Sequence, residues 1–127
     1  MYIIDCWKKI PRTLAHYRAF LKLEKKMLGR YKYKFHDLDK VFMYAFLPFL
    51  GLKIIKKIHR KFNRHHLLIN KKPWQCNYEE AMIDWECSRF TKPDEPMNAR
   101  EFMEYAKDKI GVVHYLRMHE MLNHYGL

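Results

Sequence analysis

Apolar positions along the chain recur at three- and four-residue intervals. No stretch sustains period-two alternation, and no Asn-Gly or Asp-Gly dipeptide marks a hairpin. The pattern is all-α. A first helix is expected after Pro11, with His16, Phe20, Leu23 and Met27 at i, i+4, i+7 and i+11 on one face and Gly29 closing it at C′. A basic loop, Arg30 to Lys34, leads to a second helix from near Phe35 to about Leu47, which Pro48 breaks. A third helix is read from about Leu50 to Ile69, with Ile55, Ile58, Phe62 and Ile69 facing inward. Lys71, Lys72 and Pro73 form a connection. Asn77 followed by Glu80 is a capping pattern that opens a fourth helix to about Arg89. Thr91 to Met97, with two prolines, reads as a loop. Asn98 and Glu101 repeat the capping pattern, and Gly111 divides the fifth helix from a last one, Val112 to Tyr125. Phe102, Tyr105, Tyr115 and Met118 stand at helical spacing and read as core. The expectation is a single compact bundle of five to six helices spanning residues 1–127.

Composition narrows the class. A chain of 127 residues has room for one well-cored domain, and 49% hydrophobic residues with 16% aromatics suffice to pack it. The most apolar run, Val41 to Leu52, is too short for the about 20 residues a bilayer requires. Asp5, Lys8 and Lys9 interrupt the N-terminal apolar run, so it does not read as a signal peptide. Cys6, Cys76 and Cys87 are odd in number and lack Cys-x-x-Cys spacing, which excludes a disulfide framework and a zinc ribbon and fits a cytoplasmic compartment. Against 14 acidic side chains stand 25 Lys and Arg, a net charge of +11 that calls for an anionic partner.

Eight histidines are a more local signal. Candidate ligands fall on four successive predicted helices: His16; then His36 and Asp37; then His59, His65 and His66; then Asp84. Helical bundles build metal sites from facing helices in this way. With Phe62 at the centre of the third helix's buried face, His59 and His66 fall about 60° and 40° to one side and His65 about 60° to the other, so His59 and His66 share a stripe. Asp84 lies about 100° from Trp85, at the edge of its helix's apolar face. His114, His119 and His124 have no converging carboxylate and read as surface or groove residues. His nitrogen with Asp oxygen suits Mn, Fe, Co, Ni or Zn rather than Ca. No P-loop, dinucleotide glycine string or Ser-His-Asp order is present.

The order His, His-Asp, His, Asp resembles the HD superfamily of metal-dependent phosphohydrolases. His36-Asp37-Leu38-Asp39-Lys40 is similar to the HD-[IL]-x-K string of the HD-GYP branch, and His65-His66 to its paired histidines, although Leu67-Leu68-Ile69-Asn70 stands where a GYP-like string would follow. The pattern from His16 to Asp84-Trp85 is also similar to a family of small bacterial and phage proteins. The resemblance covers about residues 12–90 and leaves the C-terminal helices, about 98–125, without a counterpart. It implies an HD-like fold, metal ligation by His16, His36, Asp37 and Asp84, and a second metal or substrate contact at His59 with His65, His66 or both. One or two divalent ions are implied. Lys40 matches a lysine near the substrate phosphate. The implied reaction is hydrolysis of a nucleotide or related phosphate ester by metal-bound hydroxide, with Asp37, Lys40 and His65 as catalytic residues. Lys40, His65, Arg60 and Arg64 would offset charge on the phosphate.

The basic stretches Lys22 to Lys34 and Lys53 to Lys72 support a competing reading. Aromatic and basic residues alternate in Tyr31-Lys32-Tyr33-Lys34-Phe35, a strip able to pair with phosphates and stack on bases. On this view the chain is a non-enzymatic basic module binding nucleic acid or an acidic protein. Oligomeric state is not legible in either reading.

Overall fold

A computed structural model describes residues 2–91 and 97–127. It is all-α: α1 (Tyr2–Leu28), α2 (Leu38–Phe46), α3 (Leu52–Phe62), α4 (Tyr78–Thr91) and α5 (Ala99–His124), with 3-10 turns at Pro48–Leu50 and Pro73–Gln75 and no strand among the described residues. The Thr91 to Met97 loop expectation falls, at residues 92–96, outside the described residues. The chain forms two compact units, Met1–Phe62 and Asn63–Leu127. No helix among the described residues is long and apolar enough to cross a membrane.

The first unit packs α1, α2 and α3 on one another. Its core joins Cys6, Met43, Tyr44 and Ile55, flanked by Ile10, Leu47, Leu50, Leu52 and Ile58. This core corrects the expected start of the first helix. Pro11 lies inside α1, which begins at Tyr2. Proline removes one ladder bond at a cost of about 3 kcal/mol. Burial of Cys6 and Ile10 on the far side of Pro11 offsets that cost, and the Cys6 thiol reaches the Pro48 carbonyl at 3.7 Å. Gly29, at φ 74, closes α1 as expected, and Pro48 ends the second helical run.

The third helix is shorter than expected. It ends at Phe62, and 63–72 are irregular. Phe62 and Ile69, expected in the core, are 74% and 68% exposed, because the inward face runs instead through Ile55 and His59. Beyond Phe62 the backbone carbonyls bond elsewhere: Lys71 Nζ donates to those of Asn63 and His66, and Asn77 N–H to that of Arg64. The i, i+7 stripe placing His66 beside His59 on one helix therefore does not exist.

The second unit pairs α4 with α5. Asn77 Oδ1 accepts from Glu80 N–H at 3.0 Å, and Asn98 with Glu101 forms a reciprocal capping box, both as expected. Buried Glu86 adds a second acceptor at the start of α5, taking Ala99 N–H at 3.0 Å. Gly111 breaks the α5 backbone at φ 84, ψ 164. Met103, Ala106, Ile110, His114, Met118 and Leu122 form the buried stripe of α5. Phe102 is half-buried with its ring 4.8 Å from Trp85, whereas Tyr105 is exposed rather than core.

Candidate metal centre

In the first unit, His16 comes from α1, His36 and Asp37 from the turn before α2, and His59 from the last turn of α3. His36 is set by a stack on Phe20, ring centroids 3.8 Å apart at 10°. Asp37 is the N-cap of α2 and holds a left-handed backbone, φ 58, ψ 6. Asp tolerates that region better than most residues, and here it turns a buried carboxylate toward the histidines.

The three histidines and Lys40 converge on this carboxylate. Asp37 Oδ2 lies 3.4 Å from His36 Nε2, 3.8 Å from His16 Nε2 and 3.6 Å from Lys40 Nζ. Asp37 Oδ1 lies 3.0 Å from His59 Nε2. The Nε2 atoms of His16 and His36 are 3.4 Å apart. Two imidazoles on one tetrahedral ion, at bonds of about 2.1 Å, hold their nitrogens about 3.4 Å apart. His16, His36 and Asp37 thus offer donor atoms within 4.8 Å of one another, a group that can hold a metal ion.

Asp39, which the sequence reading passed over, completes the arrangement. Its Oδ2 accepts from His59 Nδ1–H at 2.6 Å. Burial raises the Asp39 carboxyl, but the hydrogen bond and charge of His59 outweigh it, so the group sits below its ordinary 3.8. With Nδ1 turned to Asp39, the Nε2 of His59 is the ring atom that faces Asp37 Oδ1. At 3.0 Å, these two atoms are spaced to share a proton or to ligate one cation together. A carboxylate behind a ligating histidine is the usual device for fixing this tautomer. The signal was in the sequence: Asp39 is the second acid of the same His-Asp-Leu-Asp string.

The other candidates belong to the second unit. His65 is buried in the irregular segment after α3, and its Nδ1 lies 2.8 Å from Glu80 Oε2, a second carboxylate–histidine pair. Its ring is 4.4 Å from that of His66. Asp84 is half-buried one turn beyond Glu80 on α4. Of the expected phosphate contacts, Arg60 is exposed next to His59, and Arg64 donates to the Trp74 carbonyl at 2.9 Å. His114, expected at the surface, is instead 2% exposed. Its Nδ1 accepts from Tyr78 O–H at 2.6 Å, and its Nε2–H serves the Leu68 and Lys71 carbonyls at 3.0 and 2.9 Å. Ile110 and Met118, four residues to either side, were the available sign of its burial. His119 meets the Asn123 amide at 3.3 Å.

No protein-family model, curated protein or solved structure matches this chain.

Proposed function

We propose that the chain is a metal-dependent phosphohydrolase of the HD type, acting on a small nucleotide or related phosphate ester. The observation that carries this reading is the convergence of His16, His36 and His59 on Asp37, with Asp39 fixing the His59 tautomer. The nitrogen-and-carboxylate donor set suits Mn, Fe, Co, Ni or Zn. Bound there, such an ion would supply Lewis-acid polarisation of a phosphoryl oxygen and activate water near neutral pH.

The chain's own residues account for the rest. Asp37 presents one oxygen toward His16 and His36 and the other toward His59, so it would help to hold one ion or two. Phe20 holds the His36 ring, and Asp39 holds that of His59. Lys40 balances Asp37 and supplies positive charge for a phosphate at the same place. Exposed Arg60, next in sequence to His59, offers a further cation for the substrate. Within the second unit, Glu80 orients His65 as Asp39 orients His59 in the first. Cys6, Cys76 and Cys87 are all buried thiols, which supports a reducing, cytoplasmic setting.

The test is metal analysis of the purified protein, then phosphate release from a panel of nucleotides and phosphate esters with added Mn, Co or Ni. Metal uptake should release protons, measurable as a buffer-dependent heat of binding, because histidines must be deprotonated to ligate a metal ion. Asp37→Asn keeps the left-handed backbone and should abolish uptake and turnover. An unaltered Asp37→Asn variant, or wild type with neither metal nor turnover, would sink the proposal.

A further inference from the structure

A second feature of the first unit lies away from the histidines. Arg18, Leu21, Lys22 and Lys25 of α1, with Tyr31 and Lys34 of the loop that follows, line an open groove of about 480 Å³. Four of these six lining residues are cationic and none is acidic. At 100° per residue, Arg18, Lys22 and Lys25 stand about 200°, 240° and 180° around α1 from His16, so the groove occupies the opposite flank of the helix.

The groove is built rather than incidental. Gly29 turns the chain at φ 74, and the following loop is pinned back on α1 at two points. Tyr17 O–H donates to the Lys34 carbonyl, and Tyr33 N–H donates to Glu24 Oε2 at 2.7 Å. Glu24 is fully buried, so a carboxylate in the helix is committed to holding this loop. Lys25 Nζ donates to the Gly29 carbonyl at 2.9 Å and lies 5.6 Å from the Tyr31 ring centre. The Tyr31 ring is nevertheless 55% exposed. The alternation continues beyond the groove: Lys32 lies over Tyr33 at 5.4 Å and Lys34 over Phe35 at 5.8 Å, with Phe35 74% exposed.

We propose that this groove binds single-stranded nucleic acid, its phosphates on Arg18, Lys22, Lys25 and Lys34 and an unpaired base on Tyr31. Cations alone would take any polyanion. Exposed rings set beside ammonium groups select a ligand whose flat faces are accessible next to its charges, which single strands offer and duplexes withhold. The volume accommodates about one nucleotide, so neighbouring nucleotides would extend along the Lys32 to Phe35 strip.

The experiment is fluorescence anisotropy with labelled 12-nucleotide oligo(dT) and oligo(U), in EDTA, across a salt series. Binding to either oligonucleotide is expected, with log affinity falling against log salt at a slope of about −3 for four phosphate contacts. Lys22→Gln with Lys34→Gln should reduce the slope by about 1.4. Tyr31→Ala should weaken binding roughly 5- to 150-fold at unchanged slope, and Tyr31→Phe should restore it. These side chains are exposed, so each variant should fold, as circular dichroism is to check. Equal affinity for heparin or duplex DNA of matched charge, no effect of Tyr31→Ala, or no binding at low salt would each overturn the proposal. Asp37→Asn should bind as wild type does, so failure here and failure of the hydrolase reading are read separately.

Discussion

Two buried histidine neighbourhoods, one in each unit, show how differently the same side chain can be used. His114 in the second unit is matched group for group: a phenol O–H meets its acceptor nitrogen, and two backbone carbonyls meet its N–H. Every partner is neutral, and the arrangement is complete with one tautomer. In the first unit, three Nε2 atoms and an ammonium crowd one carboxylate, and His59 is held between two acids. That arrangement gathers imidazole nitrogens and carboxylate oxygens of the kind that can hold a metal ion. Burial alone therefore says little about a histidine's role. The charge and donor count of its partners separate a packing residue from a ligand.

The largest expected effect tests the first neighbourhood. Asp37→Asn should lower metal-dependent phosphate release about a thousandfold or more, the rate equivalent of losing several kcal/mol of charge stabilisation. In thermal melts, metal at 100 times its Kd should stabilise wild type by about 2.7 kcal/mol and the variant not at all. A metal-induced shift surviving in Asp37→Asn would dissolve the distinction between the two sites.

Next in size is the converse. His114→Ala should cost about 2–4 kcal/mol in denaturant unfolding, from the lost ring and two stranded carbonyls, while metal affinity stays unchanged. Loss of metal binding in that variant would show that His114 is no mere packing residue. Asp39→Asn comes third, with metal affinity expected to fall about 10- to 100-fold by titration, because the amide no longer holds the His59 tautomer. An unchanged affinity would remove Asp39 from the site.

Tyr78→Phe is the mildest change, costing about 0.5–1.5 kcal/mol for one hydrogen bond. It also carries a pH signature. Burial raises the Tyr78 hydroxyl above its ordinary 10.0 and the Cys76 thiol above its ordinary 9.0. Above those ordinary values the unfolded chain gives up protons that the folded chain retains. Their contribution is therefore full below pH 9 and is lost as pH rises toward the folded values. Tyr78→Phe with Cys76→Ala should flatten the alkaline limb of the unfolding curve, in part only, since burial also raises Cys6 and Tyr44. An alkaline limb of unaltered steepness would assign the titration to other groups.

Local chemistry was the legible part of the fold. Gly29, Pro48, Gly111, the Asn77–Glu80 pair and the Asn98–Glu101 box each act within a few residues of themselves, and each does what its type dictates. What failed depends on distant partners. α1 runs through Pro11 because Cys6 and Ile10 find a core supplied by α2 and α3. α3 stops at Phe62 because the following carbonyls are taken by Lys71 and Asn77, which no helical wheel contains. At the site, His59 stood apart with His65 and His66, whereas the grouping of His16 with His36 and Asp37 was readable as spacing across helices. Asp39 and Glu80 were not, since one passed for filler within a motif and the other for a helix cap. Whether a carboxylate stands behind a histidine is decided by side-chain direction, which spacing alone leaves open.

The left-handed backbone at Asp37 narrows what substitution can do there. Asparagine keeps the conformation and loses the charge. Glutamate keeps the charge but sets a longer side chain on a backbone that disfavours it, and glycine keeps only the backbone. No single replacement preserves both the turn and the carboxylate. A lineage that lost this residue could regain the site only by reversion or by coordinated change elsewhere, so the position would be expected to behave as all or nothing under mutational drift.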